Sequence, residues 1–265
     1  MGIRIARASG STNLVLRSIR QLPDSVQEYF LPMKELMRNK ILNWLVGVLN
    51  PTALICGIFI FGLAFSEGHG KERSSIAFNI NRDGSEVGRH TVEFYKIGRD
   101  LHVDIAIDIN IKVLFIPVYS YKHRNAEIWR DGKLLSITTE TNDDGEEHWV
   151  KGKAEKGLFR VSSSSGDFIA PATIIPTSYW SQKTTAQSIL LDTQHGKLLD
   201  VTVTQIDDTV LSTPGANIPA RHFVITGDLE LSLWYSQSGG WVKTAFQVGG
   251  AEFSYTLHRK SVKED

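Results

Sequence analysis

The chain has one cysteine, Cys56, among its 265 residues. A single thiol excludes an intramolecular disulfide framework and any multi-cysteine zinc site. Net charge is also missing, because 29 Lys and Arg are balanced by 29 Asp and Glu. Dedicated nucleic-acid binders carry a basic excess, so no nucleic acid is expected as a partner. Proline is sparse at eight residues, and 42% of the chain is hydrophobic. That composition excludes a disordered or collagen-like chain and is ample for a real core. The sequence has no G-x-S-x-G nucleophile elbow, no glycine-rich phosphate loop, and no H-x-x-H or H-E-x-x-H pair. We therefore expect no cofactor, no metal and no catalytic residue, and a non-enzymatic protein.

The zero net charge is unevenly distributed. Residues 1–66 carry seven basic and three acidic side chains, whereas residues 67–265 carry 22 and 26. The 26 residues between Lys40 and Glu67 contain no Lys, Arg, Asp, Glu or His, and the run is preceded by Lys34, Arg38 and Lys40. Basic residues before an apolar stretch, with Ala64 and Ser66 at its end, form the layout of an export signal cleaved after Ser66. A start at Met37 would give this signal a front end of ordinary length. The rival reading is an uncleaved anchor over residues 42–64, long enough to span a bilayer. Both readings place residues 70–262 as one exported domain, periplasmic or in the envelope, beyond a leader of residues 1–66. Membrane contact is expected only through 42–64.

The exported part reads as sheet. Leu101, Val103, Ile105, Ile107, Ile109, Ile111 and Val113 occupy every odd position over thirteen residues. Period-two alternation places one face against a core. Strands this long belong to curled antiparallel sheets or barrels, against a usual length of about five or six residues. Turns are expected at Asp83-Gly84, Gly98 to Asp100, Asp131-Gly132, Asn142 to Gly145, Gly239-Gly240 and Gly249-Gly250. The middle, 162–190, is less regular, with a loop at Ser162 to Gly166 and a short helix somewhere in 179–189. The expected fold is all-β: a curled antiparallel sheet, half-barrel or barrel-like, preceded by an N-terminal apolar signal or anchor helix.

Candidate chemistry is thin. Asp104 and Asp108 share a strand face about 13 Å apart, too far for a cooperating acid and base. The other carboxylate pairs fall at turns, where Asp favours chain reversal. The eight histidines are dispersed along the exported part. Aromatic residues are the stronger feature: Tyr119, Tyr121 and His123 fall on one strand face, and Trp234 lies beside Ser232 on the other parity from its apolar neighbours. A curled sheet with aromatics on its concave side encloses apolar ligands; the bland alternative is that these rings fill a core. The expected wall is Tyr119, Tyr121, Trp129, Tyr179, Trp180 and Trp234, with Arg221 for a polar headgroup.

Several stretches resemble a known group. They are Phe78-Asn-Ile-Asn-Arg-Asp-Gly-Ser-Glu-Val-Gly88, Tyr119-Ser-Tyr-Lys-His-Arg-Asn-Ala-Glu-Ile-Trp-Arg-Asp-Gly132, Ile175-Pro-Thr-Ser-Tyr-Trp180, Leu190-Leu-Asp-Thr-Gln-His-Gly-Lys-Leu198 and Gly227-Asp-Leu-Glu-Leu-Ser-Leu-Trp-Tyr235. Over about residues 72–258 the chain resembles an uncharacterised family of exported proteobacterial proteins of unknown function. The resemblance implies a Gram-negative envelope protein of curled sheet and transfers no catalytic residue. Three functions follow as expectations. The first is binding of an apolar or amphipathic, lipid-like ligand, and the second is a scaffold docking an envelope protein. The third is an enzyme using Tyr179, His222 and a nearby carboxylate.

Overall fold

The computed structural model describes residues 73–213 and 216–263. The leader, including the expected helix over 42–64 and the cleavage point, lies outside the described residues. Fifteen strands form one sheet. In chain order they are β1 (Arg73–Arg82), β2 (Ser85–Ile97), β3 (Asp100–Val113), β4 (Ile116–Arg130), β5 (Lys133–Asp143), β6 (Glu146–Glu155), β7 (Leu158–Ser163) and β8 (Gly166–Pro171). They continue with β9 (Ile175–Pro176), β10 (Ile189–Leu191), β11 (Leu198–Thr213), β12 (Ala216–Gly227), β13 (Leu231–Ser236), β14 (Trp241–Val248) and β15 (Ala251–Lys263). The expected all-β, antiparallel, curled architecture is present; all pairings are antiparallel except β9 with β10. Among the described residues no helix is long and apolar enough to cross a membrane.

The spatial order is β8-β7-β6-β5-β4-β3-β2-β1-β15-β14-β13-β12-β11-β10-β9. Strands β8 and β9 are therefore the two opposite edges, yet only residues 172–174 separate them in the chain. A chain advances at most about 3.6 Å per residue, so Pro171 and Ile175 lie within about 14 Å. The sheet must curl until its edges approach each other at this link. No backbone ladder pairs β8 with β9, so the curl is barrel-like and not closed.

Alternation drives this arrangement. Phe78, Ile80, Val92, Val103, Leu134, Ile137, Phe159, Ile225, Leu233 and Tyr235 are fully buried on the inner face. Between β9 and β11 the chain leaves the sheet, except at β10, and crosses its interior as a strap. Trp180 meets Phe94 of β2 and Trp129 of β4 edge-on, while Tyr179 meets Trp241 of β14. The expected short helix is a single 3-10 turn, Gln182–Ala186, with Ser181 accepting from the Lys183 N–H. At the far end of the strap Gly196, at φ 69°, lies so close to Ser163 that a Cβ there would sit 2.3 Å from the serine Cβ.

The tight turns divide into two kinds. Asp83-Gly84, Asp131-Gly132, Asp144-Gly145 and Lys156-Gly157 all place both residues at positive φ. This is the mirror-image hairpin turn, whose twist suits the strands and which favours Asn or Asp followed by Gly. The β3–β4 turn uses Leu114 at φ 49° and Phe115 at φ 69° in the same role. A left-handed backbone costs a side-chain-bearing residue about 1–2 kcal/mol. The double change Leu114→Asn with Phe115→Gly should therefore raise unfolding free energy by about 1–2 kcal/mol. Urea denaturation measures this, and a lower midpoint would refute the turn assignment.

Candidate functional site

Alternate turns of a meander fall at the same end of the sheet. Turns 83–84, 114–115, 144–145, 164–165 and 249–250 mark one end, together with the loop 192–197. We call it the mouth end. Turns 98–99, 131–132, 156–157 and 237–240 and the 3-10 turn mark the other, closed end. Inner-face residues change character between the two.

Towards the closed end the interior is filled and tied. Glu127 of β4 is 1% exposed. Its carboxylate accepts from Trp129 Nε1 at 2.8 Å, Trp180 Nε1 at 2.9 Å and Asn125 Nδ2 at 2.9 Å. Burial pushes its pKa up, and the hydrogen bonds from Trp180, Trp129, Asn125 and Ser178 pull it back. Lys183 Nζ donates to the Gly132 carbonyl, and the Tyr235 hydroxyl donates to the Tyr179 carbonyl at 2.8 Å. Arg221 Nη2 donates to Gln182 Oε1 at 3.0 Å, while its Nε is buried with no partner among the described residues.

Towards the mouth, four inward residues, Ile107, Ile109, Phe246 and Phe253, pack against the core and are only partly buried, beside the buried Ile80 and Ile111. Tyr119 and Tyr121 stand among them. The Tyr119 hydroxyl donates to Asp143 Oδ1 at 2.7 Å, and that of Tyr121 donates to Gln194 Oε1 at 3.2 Å. Gln194 in turn donates to Asp143 Oδ2 and lies 3.3 Å from His195, which pairs with Asp192 at 3.0 Å. His148 lies edge-on to His195, with ring centroids 4.7 Å apart. A polar rim thus borders an apolar opening.

Between the two zones lie groups with unmet hydrogen-bonding capacity. His90 is 2% exposed among Phe78, Trp241 and Tyr255, and both its ring nitrogens lack a partner. Burial first, then His123, lowers its pKa to about 3. His123 bonds Thr141 at 2.8 Å, and burial lowers its pKa to about 4. The Tyr255 hydroxyl makes no hydrogen bond among the described residues, and burial alone raises its pKa. Burial also raises Tyr119, Tyr121 and Tyr179, and Tyr255 adds to each rise.

The structure divides the sequence-predicted wall. Tyr119 and Tyr121 line the mouth, Trp129, Tyr179 and Trp180 stand in the filled zone, and Arg221 lies near the closed end. Trp234 is not brought to them. Leu231, Leu233 and Tyr235 point inward, so strand parity sends Trp234 to the outer face, where it stacks on His222 at 4.3 Å beneath Lys243. Tyr179 and His222 consequently lie on opposite faces of the sheet. Among the described residues no three or more His, Cys, Asp or Glu gather in a metal-binding group. The clefts on the outer face include one of about 570 Å³ lined by Lys122, Arg124, Glu140, Asn142, Glu147 and Lys151. Sequence reasoning missed Phe246, Phe253, Gln194 and His90; only the odd-even parity of β2, β14 and β15 hinted at three of them.

A family profile described as a domain of unknown function, DUF6134, matches residues 78–258. The chain belongs to the DUF6134 family. No protein of curated function matches it. Among solved structures it is similar to a beta-barrel-like protein of domain of unknown function DUF1849 from Brucella abortus. Identity is 13%, with a TM-score of 0.51, covering 74% of this chain and 98% of that one. That likeness shows the fold alone: this DUF6134 member shares a barrel-like curl with a protein of very different sequence.

Two predictions follow for the interior. Glu127→Gln should stay within about 1 kcal/mol of wild type, because Asn125 Oδ1, which lacks a partner, can turn to accept from the new amide. Glu127→Ala, which strands two buried indole N–H groups, should cost about 3–5 kcal/mol in urea unfolding; equal losses in the two variants would contradict the assignment. The second concerns pH. His90 and His123 stay neutral in the fold down to about 3 and about 4, whereas the unfolded chain takes up both protons near about 6.5. Stability is fully present above that value and is lost as pH falls, by about 2 kcal/mol per histidine between about pH 7 and about pH 5. His90→Phe should remove about half of that slope.

Proposed function

We propose that this protein is a non-enzymatic component of the bacterial envelope that holds an amphipathic, lipid-like ligand in the mouth end of its curled sheet. The observation that carries this reading is the group of inward, part-exposed apolar side chains Ile107, Ile109, Phe246 and Phe253 near the mouth. Apolar side chains facing inward yet uncovered form the kind of concave surface that ligands occupy. An acyl chain laid against them would reach towards the rings of His90 and Tyr255. Gln194, His195 and His148 at the rim would meet a polar head, the role first expected of Arg221. Placement in the periplasm or envelope, by a cleaved leader or an anchor over 42–64, rests on the layout of the first 66 residues and belongs to the same proposal.

Docking of an envelope protein on a sheet edge is the second reading, and the edges favour it less. The edge strands have six and two residues and are joined to each other through 172–174. Edges so short and so close offer little ladder for strand addition.

Protein purified gently should carry a lipid-like molecule by native mass spectrometry, and delipidated protein should take up a hydrophobic fluorophore. Ile109→Asp, which puts a carboxylate on the mouth wall, should weaken uptake about tenfold or more. Val210→Asp, at an exposed position, should leave uptake unchanged. Absence of both bound lipid and uptake in the folded protein would overturn the proposal.

A further inference from the structure

The β3–β4 hairpin outgrows its neighbours. Pairing of β2 with β3 stops at Ile109 and pairing of β4 with β5 begins at Tyr121. Beyond these, Asn110 to Val113 and Ile116 to Ser120 pair only with each other, apart from one bond from the Asp144 N–H to the Ser120 carbonyl. The apex lies beyond the last paired residues of both neighbours, while Ile111 behind it is still buried. At its apex Leu114 is 80% exposed, Phe115 95% and Ile116 52%. Water-exposed positions at positive φ suit Asn and Gly; here they hold Leu and Phe.

We propose that this arm is a membrane-inserting finger whose apex enters the hydrocarbon of a bilayer at the mouth end of the sheet. The size of the apex selects the occupant. A specific protein partner needs about 800 Å² of surface from each side. Three side chains on a bare two-residue turn, with no surrounding flat face, fall far short of that. A bilayer needs no shaped counterpart and accepts single apolar side chains, with aliphatic and aromatic residues at the boundary. Lys112 sits one pair behind the apex, opposite Pro117, where a lysine stem reaches the headgroup level. The neighbouring turns at this end carry Asp83, Asp143, Asp144 and Glu146, so the sheet itself gains nothing from an anionic surface. Insertion is therefore apolar in origin and works on neutral lipid. This contact is additional to residues 42–64, and it stands independently of the ligand reading, which concerns the mouth wall behind the arm.

The test uses the full chain with Cys56→Ser and an environment-sensitive nitrobenzoxadiazole probe on Ile116→Cys, added to phosphatidylcholine vesicles. Whatever else attaches the chain to the vesicle, only a probe in hydrocarbon is quenched by doxyl groups on the acyl chains. The apex probe should shift to the blue, lose emission to doxyl lipid and become protected from aqueous iodide. The same probe on Arg99→Cys, at the closed end, should remain iodide-accessible. Adding Leu114→Asn and Phe115→Gly, which relaxes the turn and leaves the fold intact by circular dichroism, should return the apex probe to water. An apex probe that stays iodide-accessible on vesicles, or one quenched equally in the Asn-Gly background, would overturn the proposal.

Discussion

The structure depends on a covalent constraint: residues 172–174 join the two opposite edges of a fifteen-stranded sheet. Fourteen strand pairings could build an open twisted sheet, but a three-residue link between its outermost strands cannot span one. The sheet has to wrap, and wrapping turns one face of every strand inward. It also fixes where the chain goes next. Strand β9 has two residues, and beyond it the chain crosses the space the sheet encloses. The strap is thus a consequence of the curl and also its filling. Its backbone polar groups need partners inside, and the Thr139 and Tyr235 hydroxyls donate to its Thr193 and Tyr179 carbonyls.

Glu127 shows how this filling is held. A buried carboxylate loses its hydration, and it is tolerated because two indoles, one from its own strand and one from the strap, donate to the same oxygen. The same interaction explains why the aromatic residues divide. Trp129 and Trp180 are consumed by the tie and stand in the filled zone, whereas Tyr119 and Tyr121 stay near the rim with their hydroxyls tethered to Asp143 and Gln194. One end of the interior is tied by these hydrogen bonds; the other keeps part of its apolar surface uncovered. The proposed ligand site and the projecting β3–β4 arm both lie at that second end.

Much of the sheet was legible in the residues. The thirteen-residue alternation from Leu101 is β3, and Asp-Gly pairs at 83, 131 and 144 are the hairpin turns they were expected to be, because only left-handed backbone satisfies the strand twist there. The β3–β4 turn was not legible for the same reason: Leu114-Phe115 contradicts the local preference, so alternation alone could not place it. The strap was unreadable because a segment held by side chains from distant strands carries no period of its own. Trp234 was misplaced onto the wall although its strand parity already pointed outward. Gln194 and His195 join the rim through bonds across about fifty residues of sequence, which no local pattern encodes.

The central claim is that the inner face beyond the Glu127 tie takes the apolar part of an amphipathic ligand beside His90. Nitrogen-15 NMR of the His90 imidazole reads this directly. The account predicts a ring that stays neutral to below about pH 5 in the delipidated protein, with ring-nitrogen shifts that move when a lipid-like ligand is added. A His90 that titrates near about 6.5 and whose ring nitrogens ignore added lipid would contradict it.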